Sequence, residues 1–514
     1  MMDFIDQDND NNDEQEFIND FLVSHKIGGN KEKVNKNNNK NKINKTTKTI
    51  KNKNLNSING TKSKVNGWEY ISIWGNAYDR GFALGMLTAK MFKKVQTMLK
   101  FYIPETFGVS WEFLVKDMAN DYYDKLSKHY PELMTEIKGI VDGCNNSGIT
   151  ATTEMEILVW NLYISLPYWQ SSKSGKHHGK EGGSDHCSVF IATGDYTKDG
   201  KIVMAHNSFA EFIDGQFWNV MLFVKPEKGY SFIMQTGPCS IWSGTDVFVT
   251  SAGIMGTEST IGGFQVFENN MPLPFRIREC MQYGKTMDDY INILWKNNSG
   301  DYANTWYFGD VHTNEIVRFE LGLKYKSIDR TKNGYYIGFN ATYNPQIRVL
   351  ECVNTGFDDI RRHQGARRVR LADLMDEYKG KIDAETAKTI ISDHYDVYLK
   401  KENPCSRTVC AHYELDGREY MSQADRPKPF APHGVLDACI TTTEMAKNME
   451  LIGKWGASCN IPFYVDKFCK EHRQWAYYKD YLLDRPTQPW TLFNTHKQNV
   501  KPSSLKNNKS LKHK

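Results

Sequence analysis

The chain has 514 residues, of which 40% are hydrophobic, and its formal net charge at pH 7 is +4. This composition is typical of a globular protein with a packed apolar core, and it excludes a chain that is disordered throughout. No stretch approaches the roughly 20 consecutive apolar residues that a membrane-spanning helix requires. The 10 cysteines are scattered singly, which indicates mostly reduced thiols in a cytosol-like compartment.

The ends of the chain differ in composition from its middle. Residues 1–13 are acidic, whereas a secretory signal would be basic and then apolar, so we expect a cytoplasmic or particle-associated protein. Residues 31–64 and 497–514 are rich in Lys and Asn, and we therefore expect disordered tails over residues 1–66 and 495–514. Their charge would permit weak contact with anionic membrane lipids, while no specific nucleic-acid partner is predicted.

The first predicted elements are mainly helical. Order is expected to begin near Gly67, because residues 68–74 alternate apolar and polar side chains as a half-buried strand does. A stripe of apolar residues then predicts a helix that ends at Pro104. The stripe consists of Leu84, Leu87, Met91, Val95, Met98 and Tyr102. Further helices are predicted over residues 111–141 and 154–163.

The pattern changes after a polar loop at residues 171–186. Cys187 opens an apolar strand over residues 187–192, and the segments that follow predict antiparallel hairpins. These strands cover residues 201–206, 217–224, 230–235, 247–255, 305–308 and 316–320. Helices are predicted between Arg276 and Trp295 and over residues 366–378 and 384–393. Strands in blocks flanked by helices favour an α+β fold over a βαβ sheet.

Cys187 is the candidate for nucleophilic chemistry. A free thiol with a pKa of about 8.5 is mostly protonated at neutral pH and needs a base. If the bond between His186 and Cys187 were cut, the new α-amine would lie on the same residue and could accept the thiol proton. From the residues alone, a buried inert cysteine remains an alternative. A zinc site formed by Cys187 with His177, His178 and His186 is another alternative, although the spacing of these residues does not fit the usual zinc ligands.

Residues 185–188 resemble the nucleophile strand, and residues 205–209 the strand that follows it, of the phospholipase B-like proteins and, more distantly, of penicillin acyltransferase-type cysteine hydrolases. Other similar segments occur in the same order: residues 244–254, 257–262, 271–275, 299–306, 403–410 and 461–468. The resemblance spans residues 68 to about 468. Ser208 and Phe209 stand where the family has Thr and Trp.

This resemblance implies the four-layer αββα sandwich of N-terminal-nucleophile hydrolases, made as a precursor. Residues 67–186 would be a mainly helical pro-segment with an excisable loop at about residues 171–186, and residues 187–494 the catalytic body. Cleavage would fall between His186 and Cys187. The relatives are lysosomal or secreted, and Cys405 and Cys410 correspond to a disulfide region in the secreted ones.

The resemblance also implies roles for individual residues. Cys187 would supply the nucleophile and, through its α-amine, the base. Asn304 is identified with the asparagine of the oxyanion hole, whose amide stabilises charge on the reacting carbonyl oxygen. His206 and Asn207 would orient the amine or the substrate, although both types of side chain also commonly satisfy local structure.

Other residues of the resemblance would form the pocket. Ser208 and Thr260 would line it, and Glu258 would hold the α-ammonium by charge. An arginine would also contribute, and the candidates are Arg361, Arg367 and Arg368. Their alternative role is a solvated helix face. Neither a metal nor a cofactor is predicted.

The implied activity is that of a phospholipase that cleaves fatty-acyl esters of phospholipids. An amidase or acyltransferase acting on N-acyl substrates is an alternative, because esters and amides react through the same charged intermediate. A noncatalytic protein that keeps the fold is another, and an uncut chain would favour it. A serine lipase of the α/β-hydrolase type is disfavoured because no G-x-S-x-G motif follows a strand.

Overall fold

A computed structural model describes residues 58–174, 187–244, 247–353, 355–417 and 429–495. These residues form an α+β fold. Nearly all of the predicted tails, His186 and the rest of residues 175–186 lie outside the described residues. Among the helices of the described part, none is long and apolar enough to cross a membrane.

Within the described residues, the strands belong to two large sheets and one small ribbon. In chain order they are β1 (Gly60–Val65), β2 (Trp68–Gly75), β3 (Cys187–Thr193), β4 (Val203–Glu211), β5 (Val220–Pro226), β6 (Phe232–Thr236), β7 (Phe248–Thr250), β8 (Ile254–Thr260), β9 (Asn304–Asp310), β10 (Glu315–Leu321), β11 (Lys326–Thr331), β12 (Gly334–Gly338), β13 (Tyr395–Asp396), β14 (Lys401–Glu402), β15 (His433–Thr442), β16 (Glu450–Trp455) and β17 (Thr491–Asn494).

The α-helices lie mainly before β3 and between the strand blocks. In chain order they are α1 (Ala77–Phe107), α2 (Trp111–His129), α3 (Pro131–Asn146), α4 (Glu154–Asn161), α5 (Leu166–Ser174), α6 (Phe212–Gly215), α7 (Leu273–Tyr283), α8 (Met287–Trp295), α9 (Pro345–Leu350), α10 (His363–Glu377), α11 (Ala384–Ile391), α12 (Thr443–Lys447) and α13 (Val465–Glu471).

The larger sheet has the order β1-β2-β5-β6-β7-β8-β9-β10-β11, and the smaller one the order β12-β3-β4-β15-β16-β17. Most neighbours are antiparallel, as the predicted hairpins require, but β2 pairs in parallel with β5. Because β2 precedes residue 187 and β5 follows it, the predicted pro-segment contributes a strand to the interior of the larger sheet. A cut before Cys187 would therefore leave two chains that share one sheet.

Buried side chains of the two sheets pack against each other. Cys187 and Met204 of the smaller sheet belong to the same apolar cluster as Met221, Val249 and Tyr307 of the larger one. On its other side, the smaller sheet packs against α10 and α11. The helices before β3 pack with residues of β2, β5 and β6. The side chain of Cys187, at the N-terminal end of β3, therefore points into the space between the two sheets, where it is shielded from water.

Several predicted boundaries differ from the structure. Ordered residues begin before Gly67, because β1 forms hydrogen bonds along β2 although its own side chains are mostly polar. The first helix does not end at Pro104 but continues to Phe107, where Gly108 with φ of 70° ends it. Proline removes one N–H donor but keeps a helical φ, so the last turn persists. The predicted strand at residues 247–255 is two strands, β7 and β8, joined by a tight turn.

Candidate active site

Cys187 is the first residue of β3, and its side chain points between the sheets with 1% of its surface exposed. Its Sγ donates to Oε1 of Glu258 on β8 at 3.3 Å. The register between β3 and β4 pairs Cys187 with Ser208 and Val189 with His206. Since side chains alternate along a strand, His206 and Ser208 lie on the same face as the thiol, and Asn207 lies on the other.

Glu258 is a buried carboxyl group with several partners. Its Oε1 accepts from Tyr302 at 3.2 Å, and its Oε2 lies 2.7 Å from the amide nitrogen of Asn304 in the amide orientation that satisfies both groups. Burial raises the pKa of Glu258 to about 8, against the opposing effect of hydrogen bonds from Cys187 and Tyr302. The resemblance placed this carboxylate against the α-amine, whereas in the uncut chain it contacts the thiol.

Asn340 holds the backbone of Cys187. Its Oδ1 accepts from the Cys187 N–H at 3.3 Å, and its Nδ2 donates to the carbonyl oxygen of Thr260 at 3.0 Å. Ser259 Oγ accepts from the Asn340 N–H at 3.0 Å. No motif in the sequence singled out Asn340. In the structure it lies two residues after the end of β12, is buried and has a left-handed φ of 61°.

Arg367 on α10 completes the contacts around the backbone of Cys187. Its Nη1 donates to the carbonyl oxygen of Cys187 and, at 3.3 Å, to Ser188 Oγ. Its Nη2 donates to Asn340 Oδ1 at 2.8 Å, and the side chain is fully buried. Of the three candidate arginines, the structure therefore brings Arg367 to Cys187. Arg361 is exposed and pairs with half-buried Asp359, and Arg368 donates to the carbonyl of Phe357.

We expect Arg367→Lys to slow self-cleavage before Cys187 about 10- to 100-fold and to lower the free energy of unfolding by about 1–3 kcal/mol. A lysine keeps the charge but lacks the rigid planar fork whose two terminal nitrogens contact the Cys187 carbonyl and Asn340 separately. The measurements are an intact-mass time course and chemical denaturation. Arg368→Lys, one position along the same helix, is the matched control, and equal effects of the two substitutions would contradict the role assigned to Arg367.

His206 and Ser208 lie beside the thiol but have different environments. A ring nitrogen of His206 lies within 4.8 Å of both Cys187 Sγ and a Glu258 oxygen. Burial lowers the pKa of His206 to about 3, so the ring is neutral at physiological pH and can donate or accept a hydrogen bond but is a weak base. Ser208 Oγ lies 3.3 Å from Nδ1 of His206 and donates to Asp437 Oδ1 at 3.0 Å.

Asp437 and Gln235 extend this network, and the sequence pointed to neither. Asp437 lies opposite Ser208 on β15, and its Oδ2 accepts from Gln235 Nε2 at 2.6 Å. Burial raises the pKa of Asp437 to about 7. The hydroxyl group of Thr260, a predicted pocket residue, lies 2.7 Å from the hydroxyl group of Tyr302. Thr260 therefore supports Tyr302, which donates to Glu258.

The structure directs the side chain of Asn207, a predicted site residue, away from Cys187. Its Nδ2 donates to the carbonyl oxygens of Ile391 at 2.7 Å and Val409 at 3.1 Å. We expect Asn207→Ala to lower the free energy of unfolding by about 1–3 kcal/mol, because both carbonyls lose a donor. Self-cleavage by the folded fraction should keep its rate. A slower cleavage rate at unchanged stability would instead indicate a catalytic role.

Within the part of the chain that the structure describes, two groups of side chains could hold a metal ion. Cys187, His206 and Glu258 offer ligand atoms that all lie within 4.8 Å of one another. The second group lies apart from Cys187 and consists of His394, Cys410, His412 and Cys459. Cys405 is not one of them; its thiol donates to Asp396 at 3.6 Å, so Cys405 and Cys410 have different partners and both are free thiols.

Comparison with known proteins adds one distant relative. No protein-family model matches the chain. The chain is 24% identical over 246 residues to an uncharacterized protein of Archaeoglobus fulgidus. The aligned region is 45% of this chain but only 39% of the archaeal protein. This similarity assigns neither a family nor an activity.

Proposed function

We propose that the protein is an acyl hydrolase of the N-terminal-nucleophile type that matures by cleavage before Cys187. The observation that carries the proposal is the contact of 3.3 Å between the thiol of Cys187 and the carboxyl group of Glu258. That contact lies at the start of a buried strand between two sheets, with helices on both outer sides. The arrangement supports the αββα sandwich and the resemblance to phospholipase B-like proteins.

In the proposed maturation step, Glu258 accepts the thiol proton and Sγ attacks the carbonyl carbon of residue 186. The peptide C–N bond breaks, the nitrogen of Cys187 takes up a proton, and a thioester links residue 186 to Sγ. Water then hydrolyses the thioester and releases a carboxylate and the free thiol. Asn340 and Arg367 hold the N–H and the carbonyl of Cys187 during these steps, so the thiol reacts from a fixed position.

In the mature enzyme the α-amine of Cys187 accepts the thiol proton, and Asn340 Oδ1 is placed to orient that amine. The thiolate attacks the acyl carbonyl of the substrate, the leaving alcohol takes a proton from the ammonium, and water hydrolyses the acyl-enzyme. Asn304 is the proposed oxyanion donor. Because the thiol is only 1% exposed in the uncut chain, cleavage before Cys187 is also the proposed event that opens the site to substrate.

N-terminal sequencing and intact-mass analysis of the purified protein test maturation. The expected result is two chains, of which the second begins at Cys187. Fatty-acid release from mixed phospholipids, with N-acylethanolamines in a parallel assay, then tests the substrate class. Faster release from the phospholipids supports the phospholipase, and faster release from the amides favours the amidase alternative. A single uncut chain without acyl release would favour a noncatalytic protein that keeps the fold.

A further inference from the structure

His394, Cys410, His412 and Cys459 form a compact group at one end of the smaller sheet, which we call the Cys2His2 cluster. Their ligand atoms all lie within 4.8 Å of one another. His394 follows α11, Cys410 and His412 follow β14, and Cys459 follows β16, so three separate loops meet here. We propose that this cluster binds one zinc ion as a closed structural site.

The distances within the cluster fit a tetrahedral zinc site. Nε2 of His412 lies 3.5 Å from Cys410 Sγ and 3.3 Å from Cys459 Sγ. With Zn–S of about 2.3 Å and Zn–N of about 2.05 Å, a tetrahedron places sulfur and nitrogen ligands about 3.6 Å apart. The observed spacings need only small adjustments to reach that value. Two thiolates and two imidazoles are also the tetrahedral S2N2 donor set typical of zinc.

His412 is oriented as a metal ligand by its other nitrogen. Nδ1 of His412 lies 2.7 Å from Oε1 of Glu414, so the carboxylate fixes the ring and directs Nε2 towards the two sulfur atoms. A carboxylate behind a ligating histidine is a common second partner in zinc sites. Nε2 of His394 is buried and has no hydrogen-bond partner within the described residues. A ring nitrogen of His394 lies within 4.8 Å of both sulfur atoms.

The two sulfur atoms also accept hydrogen bonds. Ser458 Oγ lies 3.2 Å from Cys410 Sγ, and the backbone N–H of Ile461 lies 3.4 Å from Cys459 Sγ. Donors at these positions stabilise thiolates, which are the form of cysteine that binds metal. All four ligand positions come from the protein, which leaves none for substrate and indicates a structural rather than a catalytic ion.

The Cys2His2 cluster joins loops that support β4, the strand paired with the nucleophile strand β3. Cys410 N–H donates to the carbonyl of Asp393 at 3.1 Å. Ser458 Oγ lies 3.1 Å from the carbonyl oxygen of Ile391, so its single proton goes either to this carbonyl or to Cys410 Sγ. The Ile391 carbonyl also accepts from Asn207, which lies on β4 next to His206 and Ser208. A bound zinc ion would therefore fix the backbone that receives Asn207, without contacting Cys187.

Elemental analysis of the full chain, purified under reducing conditions, tests the proposal. We expect about one zinc per chain, and Co²⁺ in its place should give the visible absorption of a tetrahedral site with thiolate ligands. Cys459→Ser should lose the metal, while Cys405→Ser should keep it. Cys187→Ser should keep it as well, which separates this ion from one held by Cys187, His206 and Glu258.

Glu414→Gln tests the site without removing a ligand, in case Cys459→Ser fails to fold. We expect zinc affinity, measured by competition with a chelator, to fall about 10- to 100-fold. Wild-type protein that contains no zinc and takes up neither zinc nor cobalt would overturn the proposal. So would a mass 2 Da lower than that of the reduced chain with Cys410 joined to Cys459, because a disulfide would consume both sulfur ligands.

Discussion

Replacing Cys187 with alanine is expected to abolish both cleavage before residue 187 and acyl release. The substitution removes the protein atom that attacks a carbonyl in the proposed mechanism, and loss of a catalytic nucleophile lowers rates at least about 10³-fold. The β3 backbone should persist, because Asn340 and Arg367 contact backbone atoms of this residue. Intact mass should show one uncut chain, and fatty-acid release should fall to the level of a blank.

Two further variants make this result specific. Cys187→Ser should cleave itself slowly, because a hydroxyl group is a poorer nucleophile than a thiol at neutral pH. Cys280→Ala is the control, since Cys280 is a buried thiol on α7 that donates to the carbonyl of Tyr290. It should mature like the wild type. Full turnover by Cys187→Ala would show that another residue carries the chemistry.

Local periodicity predicted β2 and the helices that follow it. The strand β2 was confirmed from its alternating residue types, although its first six residues are all buried. Helices were confirmed over much of α1, α2 and α3, each of which buries one side and exposes the other. No prediction covered β15, whose residues are buried on both faces and therefore lack alternation. The strand β1 was not predicted either, for the opposite reason. It is an edge strand of mostly polar residues, and backbone pairing with β2 stabilises it.

The residues of the candidate site likewise fall into those that the sequence predicted and those that it did not. Cys187 and Glu258 were named from segments that resemble family motifs, and Arg367 was one of three candidate arginines; the structure brings all three together. Asn340 and Asp437 were missed, because each meets the site only through pairing with strands far away in sequence. The Cys2His2 cluster was missed for the same reason: its ligands come from three loops, and no short spacing marks them.

Burial is the common cause of the unusual charge states at this site. It keeps Glu258 protonated up to a pH of about 8, and it keeps His206 neutral. Taking either group out of water disfavours its charged form, so the two pKa values move in opposite directions. Of the two, Glu258 is therefore the group whose ionisation changes near physiological pH, and it is the one in contact with the thiol.

Glu258→Gln is expected to slow self-cleavage about 10²- to 10⁴-fold, the usual contribution of a general base. In the wild type the carboxylate is the active form, so the cleavage rate should rise as the pH increases through about 8 and level off above it. Glutamine can still accept a hydrogen bond from the thiol but cannot take its proton, so the rise should disappear. The measurement is the cleavage rate of freshly refolded precursor between pH 6 and 10.

Stability should change with pH in the opposite direction. The pKa of Glu258 is higher in the folded chain than its ordinary value of 4.5, so the folded state binds the proton more tightly. Between about pH 4.5 and pH 8 this group therefore lowers the free energy of unfolding as the pH rises, by as much as ~1 kcal/mol per pH unit. Glu258→Gln should lack that part of the decline in stability.

Glu351 is a buried carboxyl group outside the site, so Glu351→Gln should leave the pH profile of the cleavage rate unchanged. A wild-type cleavage rate that stays flat from pH 6 to 9 would remove Glu258 as the base while leaving the role of Cys187 intact.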